Sequence, residues 1–303
     1  MIEKLQISSH KIKIMLHRIY LLLFIFGVLH LQAQTRGIVI DSLGTPIPYV
    51  SIFVENENTT TTSEENGTFS IQVSSDAKLI FSALGYEKKT VLASKASKVV
   101  LKQNIFDLEN VVIKKAKKSK TIEIGQVSNA ILEAFDTGPK IEAKFFPFEK
   151  RYKDTKWLKK IMLFTDSPID NATIKLHIYS VNADGFPGEE LLSKDLIVNL
   201  KRGILRHQFD IYDLDIEMPE NGVFVAFEKM RIEKNKVEKK VANSQTGIVT
   251  IETTYAPKVL CYMVKKQFTF SYTGGKWIKK ENEDEPGEPL KVYEPSLTLL
   301  LSN

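Results

Sequence analysis

Four oxygen-bearing side chains, Asn182, Asp184, Glu189 and Glu190, fall within nine consecutive residues. Calcium takes about six to eight oxygen ligands, so a loop carrying these groups could hold the ion, and a solvated turn is the plainer account of the same stretch. A second acidic group, Asp210, Asp213, Asp215 and Glu217, offers the paired carboxylates that glycosidic hydrolysis needs. Such pairs work at separations of roughly 5–10 Å, which sequence spacing does not fix, and acidic strand faces are commonplace. Trp157, Tyr179, Phe186, Trp277 and Tyr293 could supply flat apolar faces for a sugar ring, or equally fill a core.

Reactive side chains are scarce. Cys261, the only cysteine, sits in the apolar run Val259–Val264 and reads as a small buried hydrophobe in a strand. Beyond residue 33 the histidines are His177 and His207 alone, too few for a zinc hydrolase centre. The chain has no glycine-rich phosphate loop, nucleotide fingerprint or nucleophile elbow. These residues lead to the expectation of a non-catalytic protein that needs no cofactor, with calcium at 182–190 the one ion worth testing.

The elements that would position these groups are strands. With 303 residues the chain is long enough for two domains, and 43% hydrophobic with 26% charged residues is an ordinary globular balance. The net charge of +5 is concentrated at the amino terminus. Residues 1–33 hold four of the 42 basic and one of the 37 acidic side chains, leaving 38 against 36 beyond them. A net of +2 gives no electrostatic case for general nucleic-acid binding.

Lys11, Lys13 and Arg18 precede the apolar run Ile19–Leu29, which ends near Ala33. That is the pattern of a cleaved signal peptide over residues 1–33, with Met1 or Met15 as the start. Eleven apolar residues are too few for a spanning helix, which needs about 20. Export places the chain in the periplasm, at the outer membrane or outside the cell.

From Arg36, short β runs alternate with turn residues, about seven strands in 80 residues, which argues for a sandwich. Asn66-Gly67 has the chemistry of a tight hairpin turn, and Gly44, Pro46 and Gly85 mark fixed loop geometry. Four ordered blocks stand out: Gly37 through Asp41, Gly44, Pro46, Pro48 and Val50; Thr61–Phe69; Leu79–Phe81 with Leu84-Gly85-Tyr86; and Leu108-Glu109 with Val111–Ile113. Over residues 35–113 these resemble the carboxypeptidase D regulatory-like domain of Bacteroidetes envelope proteins. The resemblance implies a small transthyretin-like β-sandwich with no active site of its own. Such domains often precede receptor barrels of the outer membrane, but the 190 residues that follow are too few for one.

Residues 114–139 open with five lysines in seven residues, Lys114 to Lys120, and read as a linker. An anionic envelope surface is the other account of that run. Ile131, Leu132 and Phe135 behind Ser128 are spaced for one or two helical turns. Residues 140–303 return to β patterning, as in Thr173–Ser180, where Ile174, Leu176 and Ile178 share one face and His177 falls among the polar alternates. Glu281–Pro289 reads as a flexible acidic loop.

The fold expected is therefore all-β: a small transthyretin-like sandwich followed by a larger, jelly-roll-like one. Residues 174–227 are similar, more weakly, to jelly-roll modules of secreted adhesins and carbohydrate-binding domains. The function expected is an envelope binding or scaffold protein for a glycan or an envelope protein. The alternatives are an accessory subunit of an outer-membrane assembly or transport system, acting through β-edge pairing, and a hydrolase with an unrecognised site in 140–303.

Overall fold

The computed structural model describes residues 34–104, 120–126, 132–135, 140–242, 247–264, 269–279 and 292–303. The signal-like segment 1–33, the lysine run up to Ser119 and the acidic loop 281–289 lie outside them. The all-β expectation holds, with only single 3-10 turns among the described residues besides strands.

The first unit contains β1 (Gln34–Ile40), β2 (Ser51–Val54), β3 (Thr60–Thr62), β4 (Thr68–Gln72), β5 (Lys78–Ser82), β6 (Lys89–Leu92) and β7 (Lys98–Val100). One sheet runs β4-β1-β7, with β1 and β7 parallel, and the other runs β3-β2-β5-β6. Val39, Phe69 and Val99 from the first sheet meet Ile52, Val54, Leu79 and Phe81 from the second. The period-two alternation of these strands puts their apolar residues on the inner faces.

The turn at Asn66-Gly67 is not the expected tight hairpin. β3 and β4 belong to different sheets, so the segment crosses between layers. Gly67 alone takes a positive φ, +75°, whereas Asn66 works through its side chain, accepting from the Thr68 amide and hydroxyl at 3.1 and 2.6 Å.

The second unit begins with β8 (Thr121–Ile124), β9 (Leu132–Phe135), β10 (Ile141–Phe146), β11 (Trp157–Ser167), β12 (Ala172–Val181) and β13 (Pro187–Glu190). It continues through β14 (Leu196–Leu200), β15 (Gly203–Asp210), β16 (Val223–Lys229), β17 (Lys236–Ala242), β18 (Val249–Tyr255) and β19 (Lys258–Val264). It ends with β20 (Thr269–Thr273), β21 (Lys276–Lys279), β22 (Val292–Pro295) and β23 (Thr298–Ser302). One seven-stranded sheet follows β13-β12-β16-β10-β20-β21 with β14 on β12; the facing one follows β22-β19-β11-β23-β8 with β15 on β11 and β9 on β19. Ile174, Leu176, Val223 and Val225 pack against Leu158, Ile161, Leu163 and Leu299 between them. β17 and β18 form a separate two-stranded ribbon.

The expected linker 114–139 is partly built into this unit. Thr121–Ile124 pairs with β23, and Leu132–Phe135, expected as helix, is a strand on β19. One or two isolated turns cannot repay helix nucleation, whereas a sheet edge offers ready backbone partners. Ser128–Ile131 lie outside the described residues.

The two units are stacked. β2 is buried on both faces: Ile52 and Val54 enter the first core, while Phe53 joins Phe224, Phe270 and Tyr272 of the second unit. Phe53 and Tyr272 meet edge to face with centroids 4.9 Å apart. Backbone contact seals the junction, with the Asn56 amide donating to the Gly274 carbonyl at 3.0 Å.

Two glycines separate conformational strain from steric conflict. Gly44, at φ +87°, has open space where a Cβ would go, so Gly44→Ala should cost about 1 kcal/mol in urea denaturation. A Cβ on Gly67 would stand 2.6 Å from the Val39 carbonyl oxygen, so Gly67→Ala should cost about 3 kcal/mol.

Candidate functional site

Of the polar alternates of β12, Lys175 and His177 point at the first sandwich rather than at solvent. Thr173, Lys175 and His177 are all buried. Lys175 Nζ donates to the Tyr49 carbonyl oxygen at 2.7 Å and lies 3.5 Å from Asp195. His177 sits between two carboxylates, Nδ1 2.8 Å from Glu190 and Nε2 3.2 Å from Glu228. The same Glu228 oxygen accepts from the Ser51 hydroxyl of β2 at 2.8 Å. A charged network therefore spans the junction, and each member has a partner.

Burial opposes a charge on His177, but the attraction of Glu190 and the hydrogen bonds to Glu190 and Glu228 outweigh it. The imidazole pKa is raised from 6.5 to about 9, so at neutral pH both ring nitrogens donate. Glu228 also meets a burial penalty, which the His177 hydrogen bond and the nearby Lys175 charge overcome, leaving its pKa below 4.5. Burial, reinforced by Glu190 and Glu228, keeps the neighbouring Tyr179 phenol protonated.

Beside this network lies a cavity of about 630 Å³ between the two sandwiches. The second unit contributes Tyr179, Tyr272 and Trp277 with the carboxylates Glu189, Glu190 and Asp195. The first unit contributes Phe53, Lys88 and the loop Leu84-Gly85-Tyr86. Gly85 turns that loop at φ +80° with open space where a Cβ would stand. Lys88 Nζ stands 5.2 Å from the Tyr272 ring centroid.

The expected aromatic platform is regrouped. Tyr179, Phe186 and Trp277 come together around the junction core, but edge to face: Tyr179 to Trp277 at 76° and Phe186 to Phe270 at 73°. Trp157 belongs to β11 in the opposite sheet, beneath Lys156, and the Tyr293 side chain lies outside the described residues. Tyr179 and Trp277 thus line the cavity, while Trp157 does not.

The loop residues expected as calcium ligands diverge. Asn182 accepts from the Asp184 and Phe186 amides at 3.0 and 2.9 Å, closing its own turn. Glu190 faces His177 with one oxygen and accepts from the Ile178 amide at 2.8 Å with the other. Glu189 lies at the cavity. Among the described residues no group of three or more His, Cys, Asp or Glu could hold a metal; Glu190 and Glu228 approach opposite nitrogens of His177 and cannot converge on one ion.

Two of the carboxylates weighed for hydrolysis are used locally. Asp210 accepts from the Tyr212 amide at 3.0 Å, and Glu217 pairs with Lys156 at 2.6 Å. Cys261 is buried, as its apolar run implies. The loop motifs act through the backbone: Asp41 accepts from the Leu43 and Thr45 amides around Gly44, and Pro46 bridges to Ile40.

Residues 35–113 match the family model described as CarboxypepD_reg-like domain. No curated protein matches the chain in sequence. Among solved structures, that of infectious bursal disease virus Gx strain aligns at 8% identity and TM-score 0.23, over 91% of this chain and 57% of that one. The VP2 subviral particle of the same virus aligns at 9% identity and TM-score 0.20, over 89% and 62%. Scores this low carry no argument about fold or function. The chain spans less than two thirds of the length of either.

The network fixes a pH dependence. His177 has a folded pKa above its unfolded value, so its stabilisation is complete below pH 6.5 and is lost as pH climbs through about 9. Glu228 is depressed, so its share is present above pH 4.5 and is lost as pH falls below it. Urea midpoints should therefore fall on both sides of a slightly acidic optimum. His177→Gln should flatten the alkaline arm and cost about 3–5 kcal/mol at pH 6.5, since it leaves buried carboxylates without their cation.

Proposed function

We propose that this chain is a non-catalytic binding protein of the cell envelope whose ligand, a glycan, occupies the cavity between the two sandwiches. The carrying observation is the lining: Tyr272 and half-buried Trp277 on one side, with Glu189 and Asp195 nearby. Aromatic rings match the C–H faces of a pyranose, and carboxylates accept from its hydroxyls. A volume near 630 Å³ falls within the range of roughly 300–1,000 Å³ common to small-ligand sites. Binding is favoured over hydrolysis because Glu190 at the cavity and the buried Glu228 are committed to His177, and Asp195 lies against Lys175. An envelope location draws on the export pattern of residues 1–33 and on the family match of residues 35–113.

The ribbon β17–β18 favours a second reading, an accessory that docks onto an envelope protein. Ile248, Val249 and Ile251 are exposed there at 61, 59 and 63%. Apolar groups on an open-edged ribbon suit strand addition by a partner. Under this reading Ile251→Lys abolishes capture of an envelope partner and leaves glycan binding untouched.

The test of the first reading is a glycan array probed with residues 34–303, because both sandwiches build the cavity walls. Glycans retained by the wild type should bind Trp277→Ala at least tenfold more weakly by calorimetry, an effect of about 1.4 kcal/mol. An array with no retained glycan overturns it.

A further inference from the structure

Resting on the glycan reading, we propose that the cavity selects an acidic carbohydrate, with Lys88 as the residue that receives the sugar carboxylate. Three cations reach the cavity: Lys88, Lys175 and His177. Two are already consumed within the protein. Lys175 is held by the Tyr49 carbonyl oxygen and Asp195, and His177 has both ring nitrogens on carboxylates. Lys88 differs. Among the described residues it makes no hydrogen bond or ion pair, and its polar end lies over the Tyr272 ring.

That isolation has a physical cost. The residue as a whole is exposed, yet loss of water around the ammonium lowers its pKa, and the attraction of Glu190 only partly offsets this. Glu190 is occupied by His177 and the Ile178 amide. A carboxylate brought by the ligand would restore the missing partner in a partly dry site, where a charge-assisted hydrogen bond is strongest.

The rest of the lining sets what else the ligand carries. Glu189, and the Asp195 oxygen turned away from Lys175, can accept from sugar hydroxyls, and both carboxylates repel additional negative charge. One carboxylate among several hydroxyls satisfies both demands, whereas a dianionic phosphate would crowd three carboxylates for one lysine. Half-buried Trp277 offers the apolar surface for the ring. The ligand class is thus a uronic-acid sugar of one or two rings.

Calorimetry of residues 34–303 with cellobiuronic acid and with cellobiose, which differ in a single carboxylate, tests this directly. The acid should bind about tenfold or more tightly, the worth of one charge-assisted contact. Added salt should narrow that gap. Lys88→Met should erase the preference, bringing the ratio of the two affinities to about one, and Lys88→Arg should keep most of it. Equal binding of the two sugars by the wild type overturns the acidic-sugar assignment and leaves the glycan reading standing. Binding of neither sugar, with neutral glycans retained on the array, has the same meaning. Binding of neither, with a blank array, removes both.

Discussion

The contact between His177, Glu190, Glu228 and Ser51 is the constraint around which the molecule is arranged. Two sandwiches could have met through apolar faces alone. Instead the central strands β12 and β16 send charged side chains into the junction, and each must find its partner there. A buried ion pair adds little net stability over a well-packed apolar substitute, but a broken one is heavily penalised. The junction therefore accepts one alignment of the units and disfavours others. The apolar patch of Phe53, Phe224 and Phe270 supplies attraction without direction, and the charged group supplies direction.

This alignment also explains where the cavity lies. β2 is short, and its apolar residues Ile52, Phe53 and Val54 are spent on the two cores it separates. Ser51 and Phe53 at its outer face border the open space, and the loop Leu84-Gly85-Tyr86 lines it beside them. The open space thus borders the charged group, so the polarity of its lining follows from the docking chemistry. Neither sandwich alone would contain it.

Local order was legible in the sequence, and the junction was not. Seven strands in residues 35–104, the family blocks and the alternation of Ile174, Leu176 and Ile178 all follow from short-range patterns. The same alternation assigns Lys175 and His177 to a polar face, which is normally a wet one. Their burial depends on β2 and on Tyr49, more than 100 residues away in sequence, and no periodicity reports such a partner. Glu228 follows an unbroken apolar run and carries no signal of its own. The strands at Ile141–Phe146 and Lys236–Ala242 lack clean alternation, the first because both its faces are covered, the second because it stands in a mostly exposed ribbon. Tyr179 and Trp277 were discernible as candidates, but the edge-to-face geometry that separates them from a flat platform is a property of packing.

The parallel pairing of β1 with β7 has a mechanical consequence. Ile38, Val39 and Ile40 lie beside Lys98, Val99 and Val100, so the chain enters and leaves the first sandwich through adjacent strands running the same way. Tension applied between the start of β1 and the end of β7 pulls the two strands in opposite directions along their length. Every hydrogen bond between them is then loaded together in shear rather than opened one at a time. A unit threaded in this manner transmits force from one end to the other while keeping its core closed.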